Sequence, residues 1–204
     1  MERFVRLQAL AAPLLRPNVD TDVIIPAREI TSPTRAGYGE KLFSSWRYLT
    51  PDRRPNPDFV LNRPPFERAQ ILLAGDNFGC GSSREMAVWA LRQFGFRCVI
   101  APSFGAIFQA NCHRNGVLPV VLPAAVVEAL GAEAGAGTLE LDVDLEACTV
   151  GAPGGRVFGF AIGATERAML LAGLDEIGLT LARRDAIAAF QARDRDARPW
   201  IWSL

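Results

Sequence analysis

The sequence has little of what a self-sufficient metal or membrane protein needs. Its four cysteines, Cys80, Cys98, Cys112 and Cys148, lie far apart, with no Cys-x-x-Cys pair and none of the local spacings of zinc or iron–sulfur sites. By itself the chain is therefore expected to hold no metal. It also lacks net charge: 22 Lys and Arg balance 22 Asp and Glu, so no broad field favours nucleic acid or an anionic membrane. Met1 to Leu10 lacks the unbroken apolar stretch of a signal peptide, and no later run reaches spanning length. The expectation is a soluble, cytoplasmic protein with neither nucleic acid nor membrane as partner. What is present is apolar bulk, since half of the 204 residues are hydrophobic, enough for the core of one domain.

Proline and glycine punctuate the chain. Val5, Leu7 and Ala9 alternate with Arg6 and Gln8, the period of a strand, and Val23-Ile24-Ile25 is a second apolar run, read as a strand and closed by Pro26. From Arg28 to Pro65 the prolines forbid long regular elements, and a loop of that length points to a surface that meets substrate or a partner subunit. Ala69 to Ala74, Gly75 to Gly81, Ser83 to Phe94 and Arg97 to Ala101 read as strand, glycine-rich turn, helix and strand, a β-α-β unit. Met86, Trp89, Ala90 and Phe94 mark one face of that helix, and Gly95 stops it. Phe104 to Ala110 predicts a short helix, Val117 to Leu122 a strand and Ala124 to Leu130 a helix, with Ala132 to Gly137 a flexible connection. Leu139, Leu141 and Val143 alternate with acids, and Pro153-Gly154-Gly155 separates them from Val157 to Ile162, which predicts an antiparallel pair. Helices over Thr165 to Ala172 and Asp185 to Arg193, with Gly173 and Gly178 between them, end the chain.

The chemistry concentrates in Gly79-Cys80-Gly81-Ser82-Ser83-Arg84-Glu85. At a strand-to-helix junction, unpaired N–H groups and the positive end of the helix dipole favour an anion. The glycines allow close backbone approach, the serine hydroxyls exchange protons, and Arg84 offers a planar fork matched to a carboxylate. The competing reading is a capping box, Ser82-x-x-Glu85, which needs none of these extra residues. A Walker-type phosphate loop is excluded by the missing Gly-Lys-Ser/Thr ending. In Asn18-Val19-Asp20-Thr21-Asp22 the aspartates are either turn formers or groups that orient an arginine or the base serine. Cys80 has no general base nearby in sequence, and His113, the sole histidine, reads as exposed or capping. Ser103-Phe104 to Asn111 reads as structural, and the loop arginines Arg28, Arg35, Arg47, Arg53 and Arg54 as mostly solvated, with one of them free to meet a substrate.

Several motifs in order resemble one family, the small subunits of bacterial 3-isopropylmalate dehydratase, whose fold corresponds to the swivelling domain of aconitase. They are Asn18 to Pro26, Gly37 to Arg47, Asn77 to Glu85, Ala101 to Asn111-Cys112, Asn115 to Pro119 and Gly173 to Thr180. The resemblance implies an α/β fold of the swivelling-domain β/β/α type, a mixed sheet flanked by helices, over residues 1–204 as one domain with 165–204 as a C-terminal helical extension. It implies a separate large subunit that supplies a [4Fe-4S] cluster, whose open iron polarises the substrate hydroxyl and carboxylate. It also implies a small carboxylic-acid substrate: 2-isopropylmalate and 3-isopropylmalate interconverting through isopropylmaleate in leucine biosynthesis.

By the same resemblance Ser82 is the base, Ser83 stands beside it as a second catalytic group, and Arg84 binds a substrate carboxylate. Gly81, Asp22, Thr21 and the loop arginine Arg35 complete the substrate-binding set. The sequence departs from the family wording at Met86 and Val88, where a histidine and a proline are typical, at Gly105, where an aspartate is common, and between Phe160 and Arg167. Two alternatives stay open: a paralogous subunit for citraconate/2-methylmalate, dimethylmaleate or homoaconitate, and a non-catalytic binding protein that retains the fold.

Overall fold

The computed structural model of the chain describes residues 1–31, 34–50, 52–81 and 84–202. The opening alternation forms strand β1 (Arg6–Leu14). The apolar run that follows forms a one-turn helix, α1 (Thr21–Ile24), and not the expected strand. The cause is local: the Asp20 side chain accepts a hydrogen bond from Val23 N at 2.7 Å, which turns the chain before the apolar residues can extend.

Across the proline-rich segment the described regular pieces are short. They are 3-10 turns, helix α2 (Ser44–Arg47), and a ribbon of β2 (Tyr48–Leu49) against β3 (Arg54–Pro55). The segment is nevertheless well packed, with Tyr38, Leu42, Phe43, Phe59 and Leu61 buried. Its arginines are not all solvated. Arg47 donates to Asn62 Oδ1 at 3.1 Å and to the Gly39 carbonyl at 3.0 Å, and Arg53 pairs with Glu29 at 2.7 Å.

The β-α-β unit is present as β4 (Ile71–Ala74), α3 (Glu85–Phe94) and β5 (Cys98–Ala101). It continues through α4 (Ala106–Asn115), β6 (Leu118–Val121) and α5 (Ala124–Ala134), so α5 absorbs half of the stretch expected to be a flexible connection. The antiparallel pair is in fact a three-stranded meander, β7 (Glu140–Asp144), β8 (Thr149–Ala152) and β9 (Arg156–Gly159). Its middle strand, Thr-Val-Gly-Ala, carries too little alternation to announce itself. Helices α6 (Ala164–Ala172), α7 (Glu176–Leu181), α8 (Arg184–Ala197) and α9 (Pro199–Trp202) follow. Gly178 lies inside α7, because Asp175 accepts from Gly178 N at 2.7 Å and caps the helix there.

The seven-stranded sheet runs β6-β5-β4-β1-β7-β8-β9. Strand β1 is its pivot: Ala11–Leu14 pair in parallel with β4, whereas Arg6–Leu10 pair antiparallel with β7. Alternate residues of the parallel half face two cores. Ala12, Leu72, Ala74, Val99 and Ala101 pack with α3 and the aromatics of the long loop. Ala11, Ile71, Leu73, Cys98 and Ile100 pack with Val127, Leu130 and Ala134 of α5.

Helix α3 lies between sheet and loop, and this widens its apolar stripe. Its fully buried residues are Ala87, Val88, Ala90 and Leu91, while Met86, Trp89 and Phe94 are partly buried against the same core. Trp89 meets Tyr38 edge-on at 5.7 Å between ring centroids, and Phe94 lies under the Arg47 guanidinium at 4.7 Å. Met86 and Val88, the family departures next to the turn, thus belong to the packing behind it.

Candidate active site

Adjacent parallel strands deliver their following loops to one edge of the sheet, the position where open α/β sheets bind ligands. Here the segment after β1 and the turn after β4 are stitched together by their backbones. Asn18 N donates to Asp76 O at 2.8 Å, Gly79 N to Val19 O at 2.7 Å and Thr21 N to Cys80 O at 3.1 Å. The loop after β5 joins them: Phe78 N donates to Ser103 O at 3.1 Å and Gly105 N to Phe78 O at 2.9 Å. Side chains reinforce the junction. The Ser103 hydroxyl donates to Asp76 Oδ1 at 2.6 Å and accepts from Asn77 N at 2.9 Å, and Asn77 Nδ2 donates to Asn18 Oδ1 at 2.8 Å. Ser103, read from sequence as plain structure, is thus a brace of the turn.

Close packing explains the glycines of the turn. Gly79 has φ +74°, and a side chain there would run into the Phe108 ring. A Cβ on Gly105 would lie 2.5 Å from the Gly79 carbonyl oxygen and 3.1 Å from Cys80 Cα. The departure at Gly105 is therefore matched to how closely the first turn of α4 sits beneath Gly79 and Cys80. Gly81, exposed at φ +84°, passes beside Asp20.

Arg84 is a cationic group at this edge. It occupies the N-cap of α3 with extended backbone, and Glu85 is the first helical residue. A capping box needs the glutamate two positions further in, so Ser82-x-x-Glu85 is not one. Glu85 Oε1 instead accepts from Asn115 Nδ2 at 2.9 Å, and Asn115 Oδ1 accepts from Trp89 Nε1 at 3.0 Å. The Arg84 guanidinium forks onto Asp22: Nη1 donates to Oδ1, Nη2 donates to Oδ2 at 2.8 Å, and Nη1 also reaches the Ile25 carbonyl at 3.2 Å. The bond to Arg84, more than its charge, holds the Asp22 carboxyl below the usual carboxylate range.

Of the expected site residues, the fold brings Gly81, Arg84, Asp22 and Thr21 together. Thr21 is buried, with 2% exposure, and meets the turn through its backbone. Arg35 lies elsewhere. Its guanidinium covers the Trp89 ring at 4.8 Å, and with Glu85, Arg114, Asn115 and Asp175 it lines a cleft of about 240 Å³ whose walls include neither Asp22 nor Arg84. Ser82 and Ser83 lie outside the described residues.

The donor set does not suit a cluster. Among the described residues no three His, Cys, Asp or Glu side chains stand close enough to hold a metal ion. Cys98 and Cys112 are fully buried, and burial pushes both thiols up, away from the thiolate that a metal requires. His113 is buried as well, at 9% exposure, and not exposed or capping as its sequence context suggested. Among the described residues, no helix is long and apolar enough to cross a membrane.

The family model described as the aconitase C-terminal domain matches residues 1–125, and that named LeuD_N matches 128–164. The model for the C-terminal domain of the 3-isopropylmalate dehydratase small subunit matches 176–201. The chain is 55% identical over 204 residues to a protein of Cupriavidus necator named 3-isopropylmalate dehydratase small subunit, with 98% of each chain covered. Proteins of the same name from Dinoroseobacter shibae and Neisseria meningitidis are each 48% identical, covering 98% and 100% of this chain and all of their own length. A crystal structure of 3-isopropylmalate dehydratase from Methanocaldococcus jannaschii superposes with a TM-score of 0.62 at 22% identity, over 91% of this chain and 99% of that one, and shares its fold.

Proposed function

We propose a function from one premise: the chain belongs to the family of 3-isopropylmalate dehydratase small subunits. It is a hydro-lyase subunit that acts with a large subunit, and the reaction is the reversible movement of water between 2-isopropylmalate and 3-isopropylmalate through isopropylmaleate. Within the chain, the observation that carries the reading is Arg84. It is a guanidinium at the start of α3, 18% exposed along its side chain, oriented by a carboxylate beside a glycine-rich turn.

In this reading Arg84 binds a substrate carboxylate, and the N-terminal end of α3 adds its dipole to that attraction. Ser82 takes the carbon-bound proton, the departing hydroxyl takes a second proton from a general acid assigned to the large subunit and leaves as water, and both transfers reverse when water adds to the neighbouring carbon. An alkoxide is far too basic to persist unaided at neutral pH, so the positive end of α3 and Arg84 serve it as well. Ser83 is the adjacent hydroxyl. Thr21 and Gly81 shape the turn, while Arg35, packed over Trp89, stands outside this cluster. The [4Fe-4S] cluster is assigned to the large subunit, a reading supported by the donor set, since among the described residues no three His, Cys, Asp or Glu side chains stand close enough to hold one.

Anaerobic reconstitution with the large subunit tests the reading. The reconstituted enzyme is expected to turn over 2-isopropylmalate faster than citraconate, dimethylmaleate or homoaconitate, and the opposite ranking would sink the substrate assignment. Ser82→Ala should lower kcat by roughly 10²- to 10⁴-fold with assembly intact. Unchanged hydration in that variant would remove Ser82 as the base.

A further inference from the structure

Arg84 carries five N–H donors on three nitrogens, arranged as two carboxylate-sized forks that share Nη2. Asp22 occupies the end-on fork, with Oδ1 on Nη1 and Oδ2 on Nη2, and the Ile25 carbonyl takes the remaining Nη1 hydrogen. Among the described residues, that leaves Nε and the outer hydrogen of Nη2, the side-on fork, open for a second carboxylate.

The pair has little value as a stability device. The Asp22 side chain is 58% exposed, and solvent screening leaves such a pair with little net effect on stability. Asp22 is held from behind: α1 is capped by Asp20, Thr21 is tied to Cys80, and Asp22 Oδ1 also accepts from Ala27 N at 3.3 Å. A fixed carboxylate on a mobile, four-torsion arginine removes rotamer freedom before the ligand arrives, which lowers the cost of binding.

We propose that Asp22 is a positioning residue: it holds Arg84 end-on so that only the side-on edge, Nε with Nη2, receives the substrate carboxylate. The inference rests on the reading of Arg84 as the carboxylate ligand. It also separates the two aspartates of Asp20-Thr21-Asp22, the first shaping the helix and the second aiming the arginine.

The reconstituted enzyme supplies the test, with kcat and KM measured for Asp22→Ala, Asp22→Asn, Arg84→Lys and the Asp22→Ala/Arg84→Lys double variant. Asp22→Ala should raise KM about tenfold or more while kcat changes by less than about threefold, and Asp22→Asn, which keeps one acceptor oxygen, should fall between it and the wild type. Arg84→Lys should also raise KM, and adding Asp22→Ala to it should cost less than about twofold more, since the group to be aimed is gone. If Arg84→Lys raises KM but Asp22→Ala does not, or if the two effects multiply, the positioning role is refuted while the carboxylate reading stands. If Arg84→Lys leaves KM unchanged, the carboxylate reading itself fails. Should Asp22→Ala not assemble, the side-chain 15N signals of Arg84 in the full-length chain decide: slow Cζ–Nη rotation in the wild type and fast rotation in Asp22→Asn support the latch, and fast rotation in both overturns it.

Discussion

Gly79 and Gly105 lie against each other at the turn, and what is missing from their side chains sets the position of the candidate site. With a Cβ on Gly105 only 2.5 Å from the Gly79 oxygen, a larger residue there must push the Gly79–Cys80 backbone away from α4. Gly105→Asp is therefore expected to impair this chain. We expect a loss of about 1–3 kcal/mol in urea denaturation together with reduced activity of the reconstituted enzyme. Unchanged stability would mean that α4 and the turn separate easily. Asp20 and Asp22 show the limit of reading residues singly: as letters they are equivalent, yet one bonds to Val23 N and the other to Arg84.

At the scale of elements, α4 and α6 enclose the sole histidine. His113 Nε2 is buried without a hydrogen-bond partner among the described residues, and Glu166 of α6 is the charged group that acts on it. Burial lowers the His113 pKa, and the Glu166 charge only partly opposes the shift. The folded chain thus keeps His113 neutral at a pH where the unfolded chain takes up a proton. This contribution to stability is complete above the ordinary histidine value of about 6.5 and is lost as pH falls toward the lowered folded value. Between about pH 7.5 and pH 5.5 the wild type should lose more stability than His113→Gln, which has no proton to gain. Parallel thermal denaturation curves for the two proteins across that range would exclude the effect. The β-α-β unit was legible from its punctuation and apolar runs. Strand β8 and helix α1 were not, because a partner strand and a capping aspartate outweighed weak local preference.

For the whole molecule, the two cores lie on either side of the parallel half of the sheet, and the last helices add nothing to either. No residue of α8 or α9 is buried, and Phe190 and Trp200 remain 54% and 70% exposed. Deleting residues 184–204 should therefore shift the thermal midpoint of the chain by less than about 2 °C in calorimetry. A larger drop would show that α8 supports the body of the fold. Leu72→Ala, by contrast, empties a fully buried position in the first core and should cost about 2–5 kcal/mol.

The sequence by itself determined the β-α-β unit and the family, and it singled out the turn between Gly79 and Arg84 as the candidate site. These depend on neighbours in the chain: apolar period, glycine, and motifs in fixed order. Only the tertiary structure decided that Asp22 meets Arg84 across 62 residues, that Ser103 braces the turn, that Arg35 stands over Trp89 outside this cluster, and that Val88 belongs to the core. Each of these is a contact between segments that lie far apart in the chain. Its geometry is set by which strand lies beside which, and no local pattern of residues encodes that.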